Sequence, residues 1–192
     1  MPSLPGLCLR SYWPHFRELA ELVDGQIHSC TCRDIEMDMQ PRLIIVCGLP
    51  GSGKTTHAKL LETTRGAIRF CPDEWMEALT LDLYDEERRA KIEALQWKFC
   101  QKLLRFGLTV IIEWGTWAKS ERDSLRLGAR ALGAAVELHY LSAQVDVLFD
   151  RIQQRRMEHP PIERDALSRW FDLFQVPTDE EMALFDKAET FG

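Results

Sequence analysis

Arg42-Leu-Ile-Ile-Val-Cys-Gly48-Leu-Pro-Gly-Ser-Gly-Lys54-Thr55-Thr56 decides how this chain is read. Its first half, Leu43 to Cys47, is a short apolar run of the kind that forms a strand buried on both faces. Its second half fits G-x-x-x-x-G-K-[ST] from Gly48 to Thr55. Glycines at this spacing let the backbone curl so that its N–H groups converge into a nest for phosphate oxygens. A helix expected from about Gly53 to Leu61 adds the positive end of its dipole. In this pattern Gly48, Pro50, Gly51, Ser52, Gly53, Lys54, Thr55 and Thr56 line a polyphosphate. Lys54 reaches the β- and γ-phosphates and the Thr55 hydroxyl ligates Mg²⁺. The implied ligand is a nucleoside triphosphate, taken as ATP, with Mg²⁺.

Downstream, strand and helix patterns alternate. Ala67-Ile-Arg-Phe70 predicts a second strand. A long helix is expected from near Asp85, with Ile92, Leu95, Phe99, Leu103 and Phe106 as its buried stripe. Leu108-Thr-Val-Ile-Ile112 is a β-branched third strand. Ser120-Glu-Arg-Asp123 reads as a capping box for a helix with Leu125, Ala129 and Leu132 inward. Ala135 to Leu141 is a fourth strand. Val145, Leu148, Phe149 and Ile152 have the spacing of a buried helix face, ended by His159-Pro-Pro161. Leu167, Trp170, Phe171 and Phe174 mark another helix, and Thr178-Asp-Glu-Glu181 caps a last short one. This alternation predicts an α/β fold with a mostly parallel sheet.

Upstream, residues 1–36 read differently. Phe16, Leu19, Ala20 and Val23 have helical spacing, and a polar stretch runs from Gln26 to Gln40. One reading is a dispensable extension, translated from a codon ahead of Met37 or Met39. The other is a helix that covers a sheet edge or a partner. The expected division is 1–36 as extension and 37–192 as the domain.

The 192 residues are 45% hydrophobic and 28% charged, a globular composition. A net charge of -6 argues against tight sequence-blind nucleic-acid binding, which relies on Lys and Arg neutralising phosphates. The six cysteines are scattered, the usage of a reduced cytoplasmic protein. His28, Cys30 and Cys32 lack a second ligand pair at zinc spacing, so no zinc site is expected. No run is long and apolar enough for a membrane span, and no signal peptide opens the chain.

Two acids fall where parallel strands deliver ligands, beyond their carboxyl ends. Glu113 follows Val110-Ile-Ile112 and is a candidate to hold a magnesium-bound water. Asp73 follows the second strand and is a candidate base toward an acceptor hydroxyl. Pro72-Asp73-Glu74 also reads as a helix start with Asp73 as its N-cap. Arg151, Arg155 and Arg156 read as a mobile lid over the transferring phosphoryl group. The alternative is a solvated face paired with Asp146, Asp150 and Glu158. Trp75, Trp114 and Trp117 flank the acids, either as a stacking surface for an acceptor or as core.

Leu43 to about Asp186 resembles the AAA-type P-loop kinases of the zeta-toxin, polynucleotide-kinase and chloramphenicol-phosphotransferase neighbourhood. The matching pieces are Gly48 to Thr56, Cys71-Pro-Asp-Glu-Trp75, Val110-Ile-Ile-Glu113, the Arg151–Arg156 cluster and Pro177-Thr-Asp-Glu-Glu181. The resemblance implies a three-layer α/β/α P-loop NTPase fold with a helical lid, and transfer of the γ-phosphoryl of ATP to a hydroxyl. It implies that Asp73 is the base and that the arginine cluster is the lid. Three features depart from the pattern. Met76 stands where related polynucleotide kinases carry Arg, Glu113 stands where Asp is frequent, and no fifth strand is placed after the lid.

The expected function is an ATP-dependent kinase acting on a small hydroxyl-bearing molecule, such as a sugar, nucleoside or antibiotic. Asp73, Glu74 and Glu113 at the mouth favour a neutral or cationic acceptor over a polynucleotide end. The rival is an ATP-binding regulatory module or weak ATPase. A toxin acting on a nucleotide sugar belongs to the first reading.

Overall fold

In the computed structural model, residues 40–155 and 161–192 are described. The proposed extension at 1–36, with His28, Cys30 and Cys32, lies outside them, as do Arg156 and Glu158. Met39–Gly192 forms one compact unit.

The apolar runs form β1 (Arg42–Cys47), β2 (Ile68–Phe70), β3 (Thr109–Ile112) and β4 (Ala135–Leu141), and a fifth strand, β5 (Lys187–Phe191), joins them. They make one sheet in the order β2-β3-β1-β4-β5, with every pair parallel. The expected α/β fold with a parallel sheet is therefore present. Its central strand is β1, fully buried from Leu43 to Cys47 because both faces are covered.

The helices are α1 (Lys54–Arg65), α2 (Pro72–Ala78), α3 (Glu86–Arg105), α4 (Lys119–Arg130), α5 (Val145–Arg155), α6 (Arg164–Leu173) and α7 (Asp179–Met182). Strand side chains alternate between faces, so the core divides in two. Ile44, Val46, Ile111 and Leu141 pack with Ala58 and Leu61 of α1. Leu43, Ile45, Val110, Ile112, Val136 and Leu138 pack with Cys100 and Leu104 of α3, Leu125 and Ala129 of α4, and Leu167 of α6. Three layers result, as the resemblance implied.

Several local expectations shift. The buried face of α3 is Ile92, Gln96, Cys100 and Leu104, whereas Leu95, Phe99 and Phe106 are exposed. The face is turned because a polar residue, Gln96, sits at its centre with both ends of its amide satisfied. Its Nε2 donates to Cys71 O at 3.2 Å and its Oε1 accepts from Trp114 Nε1 at 2.8 Å. α4 starts two residues earlier than the Ser120 box. Ala118 is its N-cap, and Glu121 accepts from the Ala118 N–H at 3.0 Å. The Thr178 cap holds, accepting from Glu181 N at 3.3 Å.

The unplaced fifth strand is Lys187–Phe191, paired from Glu137↔Lys187 to Leu141↔Phe191. It is an edge strand of five residues, half-exposed and carrying Lys187 and Glu189, so it lacks a hydrophobic signal. Charged, short edges are how sheets avoid pairing with other chains.

Candidate active site

The loop between β1 and α1 is built around two glycines that no other residue can replace without strain. Gly48 has φ +145 and Gly51 φ +80. A Cβ on Gly48 would strike Leu141 O, and one on Gly51 would lie 2.7 Å from Leu148 O and 3.0 Å from Ile152 Cγ1. The loop is thus pressed against the end of β4 and the flank of α5. Ser52 is buried with its Oγ lacking any protein hydrogen-bond partner. An orphaned hydroxyl in a glycine-rich loop suits a phosphate oxygen.

Lys54, at the start of α1, donates from Nζ to Leu49 O at 3.0 Å. Burial lowers its ammonium from the ordinary lysine value, and Glu113 and Asp73 pull it back up. Arg155 adds to the depression. Four groups singled out from sequence, Lys54, Glu113, Asp73 and Arg155, therefore share one electrostatic neighbourhood.

Thr55 Oγ1 donates to Glu113 Oε1. Glu113 is buried at the end of β3, and its other oxygen accepts from Arg69 Nη1 at 2.8 Å. Two hard oxygen donors in contact at the mouth of a phosphate loop fit Mg²⁺, which takes few protein ligands and completes its shell with phosphate oxygens and waters.

Asp73 is the second residue of α2 and not its N-cap, which is Cys71. Pro72 at the first helical position explains the boundary, since it needs no N–H partner there. The Asp73 carboxylate is exposed and ion-paired with Arg89 of α3. The capping alternative for Asp73 is thereby replaced by an ion pair.

Arg69, Arg89, Gln96 and Arg122 are site residues that sequence reasoning missed. Arg69 donates to Glu74 Oε1 and Oε2 at 2.7 and 2.8 Å, to Glu62 Oε2 at 3.3 Å and to Glu113. With Arg69 on Glu74 and Glu113, and Arg89 on Asp73, the mouth carries no uncompensated acidic wall. The charge argument for a neutral or cationic acceptor therefore lapses. Gln96 ties the N-cap of α2 to Trp114, which holds the loops bearing the two acids at one spacing.

The loop after Glu113 carries Thr116 at φ +40, a conformation β-branched residues rarely adopt, and its buried Oγ1 has no protein partner. It is held by Arg122, which donates to Thr116 O at 3.0 Å, Trp117 O at 3.2 Å and Gln175 O at 2.8 Å. Arg122 is itself fixed bidentately on Glu181 at 2.7 and 2.9 Å. A position of this kind costs about 1–3 kcal/mol and persists where surrounding structure over-determines it. The tryptophans divide: Trp114 is buried core, whereas Trp75 and Trp117 are partly buried and pack against it.

α5 packs by Leu148 and Ile152 against the phosphate loop, so its first turns are anchored and not a free flap. Arg151 and Arg155 are exposed on its distal half. Asp146 pairs with Arg164 of α6, not with the arginine face. Among the described residues no helix is long and apolar enough to cross a membrane.

Known proteins share this architecture. A solved gluconokinase from Sinorhizobium meliloti is 19% identical, with 78% of this chain and 81% of that one covered and a TM-score of 0.53. Kti12 from Chaetomium thermophilum, solved with ADP-AlF3, is 19% identical over 78% and 88%, with a TM-score of 0.59. A chain of the Pnkp1/Rnl/Hen1 RNA repair complex is 20% identical over 72% of this chain and 45% of that one, with a TM-score of 0.59. At these identities the likeness is one of fold. No match was found among curated protein sequences. The family model described as AAA domain matches residues 43–177, from the first strand through the phosphate loop and both acids to just ahead of α7. With that match and the phosphate loop it spans, this chain belongs to the AAA-domain family and has the fold of its P-loop kinases.

Proposed function

We propose that this protein is an ATP-dependent kinase that moves the γ-phosphoryl group to a hydroxyl of a small molecule. The observation that carries the reading is the exposed Asp73 carboxylate, which leads α2 and whose charge acts on the half-buried Lys54 together with that of Glu113, the partner of Thr55. A base is thus poised next to a triphosphate site while remaining open to a second ligand. Lys54 and the loop amides would hold the β- and γ-phosphates. Thr55 and Glu113 would hold Mg²⁺, which when bound neutralises charge on those oxygens. Asp73 would take the proton of the acceptor O–H as its oxygen bonds to the γ-phosphorus. The bond to the β-phosphate oxygen breaks and ADP departs. Arg155, with Arg151 and Arg156 on the same segment, would stabilise charge on the transferring group. The gluconokinase fold supports a small polyhydroxyl acceptor.

One observation favours the rival, an ATP-binding module that turns over slowly: Arg89 already occupies Asp73. In the kinase reading an incoming hydroxyl must share or displace that pair. An exposed ion pair is worth about 0–1 kcal/mol, so an acceptor can displace it.

The test is transfer from labelled ATP, with Mg²⁺, to a panel of sugars, polyols, sugar acids and nucleosides. Asp73→Asn should cost no more than about 1 kcal/mol of stability, the worth of its exposed pair with Arg89, keep ATP binding, and lower transfer by about 10²–10⁴-fold, the usual contribution of a positioned base. Release of free phosphate alone from every panel member would favour the module. Undiminished transfer by Asp73→Asn would remove the base from this residue.

A further inference from the structure

Arg69 has a role that burial of Glu113 alone does not require. Its side chain is 6% exposed, and each of its three nitrogens is engaged on a different element. Nη1 meets Glu113 at the end of β3, Nη2 meets both oxygens of Glu74 on α2, and Nε meets Glu62 on α1. Compensating the Glu113 charge would need one contact. The remaining nitrogens reach the residue next to Asp73 and the helix that starts at Lys54. Lys59 supports Glu74 from α1 at 3.4 Å.

A guanidinium is planar and rigid, so its N–H vectors cannot turn independently. If Glu113 shifts to meet a nucleotide-bound metal, the plane tilts and the Glu74 carboxylate follows. Glu74 is in the first turn of α2, one residue after Asp73, so the helix that carries the base follows too. We infer that Arg69 is a positioning residue that couples nucleotide and metal binding at Thr55 and Glu113 to placement of the Asp73 helix. The inference rests on the nucleotide site proposed above and needs no knowledge of the acceptor. Its physical content is that α2 becomes better ordered when the nucleotide arrives, so the base is set only when a phosphoryl donor is present.

The experiment is amide hydrogen exchange of the full chain, with and without Mg²⁺ and a non-hydrolysable ATP analogue. The unmodified protein should show slower exchange both in the phosphate loop and in the peptide covering α2. Glu74→Ala cuts the link to α2 while leaving Glu113 and Arg69 paired, and being at an exposed helix position it should fold. It should keep protection at the phosphate loop and lose it at α2. Arg69→Lys keeps the charge beside Glu113 without the fork and should behave in the same way. Arg69→Met should in addition weaken Mg²⁺ affinity of the nucleotide complex by about 10–100-fold, as loss of a partner behind a metal ligand does. Metal-free ATP affinity should be unchanged. Equal protection of α2 in the unmodified and Glu74→Ala proteins, or none in either, would overturn the coupling while leaving the nucleotide site intact. Failure of the unmodified protein to bind the analogue would overturn the proposed function and the coupling together. Should Arg69→Met not fold, the Glu74→Ala comparison decides.

Discussion

Removing the guanidinium of Arg122 should be among the most damaging single changes outside the phosphate loop. Arg122 and Glu181 are both buried, and the pair is bidentate at 2.7 and 2.9 Å. Arg122→Met keeps a similar apolar stem. It leaves the Glu181 carboxylate without its counter-charge and takes the donor from three carbonyls, at Thr116, Trp117 and Gln175. Breaking a buried pair from one side costs about 3–5 kcal/mol, chiefly the burial of the charge left behind. At roughly 2–4 °C per kcal/mol for a domain of this size, the melting temperature should fall by about 6–20 °C. Two further signs distinguish this account from general core damage. Replacing both partners, Arg122→Met with Glu181→Met, should recover much of the loss, because two well-packed apolar residues leave no stranded charge. Loss of donors to Thr116 O and Trp117 O should also raise amide exchange of the loop after Glu113 before the sheet is affected. Thermal and urea denaturation of the two variants gives the energies. A loss below about 1 kcal/mol for Arg122→Met, or a double variant as unstable as the single, would refute the argument.

Lys54→Ala should abolish most Mg·ATP binding measured by calorimetry, since it deletes the point charge at the β- and γ-phosphates; unchanged affinity would sink the phosphate-loop reading. Arg155→Ala should lower kcat more than it raises the KM for ATP if its charge acts on the transferring group; equal turnover would return the arginines to the solvated surface. The protein should lose stability as pH falls below about 6.5. His57 and His139 are both held below the ordinary histidine value, first by burial, and in the case of His57 also by His139. Glu137 can only accept, so His139 Nε2 carries the proton at 3.1 Å and its Nδ1 accepts from His57 Nε2 at 2.8 Å. A base whose folded pKa is depressed binds fewer protons folded than unfolded, so its contribution is full above the unfolded value and declines as pH drops toward the folded one. Melts between pH 8 and 5 should show this decline, and His57→Gln should flatten it.

What the linear sequence determined is whatever rests on local pattern. The apolar run Leu43–Cys47 had to be a buried strand, and Gly48 to Thr55 had to be a phosphate loop, because glycine spacing and a following helix specify backbone geometry directly. Ala135–Leu141 was legible to the residue. Asp73 and Glu113 stood out as candidates because strand ends point to ligands. What tertiary structure alone decided is who stands opposite whom. Arg69, Arg89 and Arg122 reach acids 44, 16 and 59 residues away, and no periodicity carries such pairings. The guanidinia of Arg69 and Arg89 offset the acidic charge that Asp73, Glu74 and Glu113 alone suggested. Gln96 hid the buried face of α3, because a polar residue in the core is intelligible only once Cys71 O and Trp114 are seen to satisfy it. β5 hid for the opposite reason: at an edge, hydrogen bonds to β4 make a strand of residues whose side chains have little to bury. Local periodicity reports which side chains leave water, whereas charge compensation and edge pairing depend on neighbours that only folding brings together.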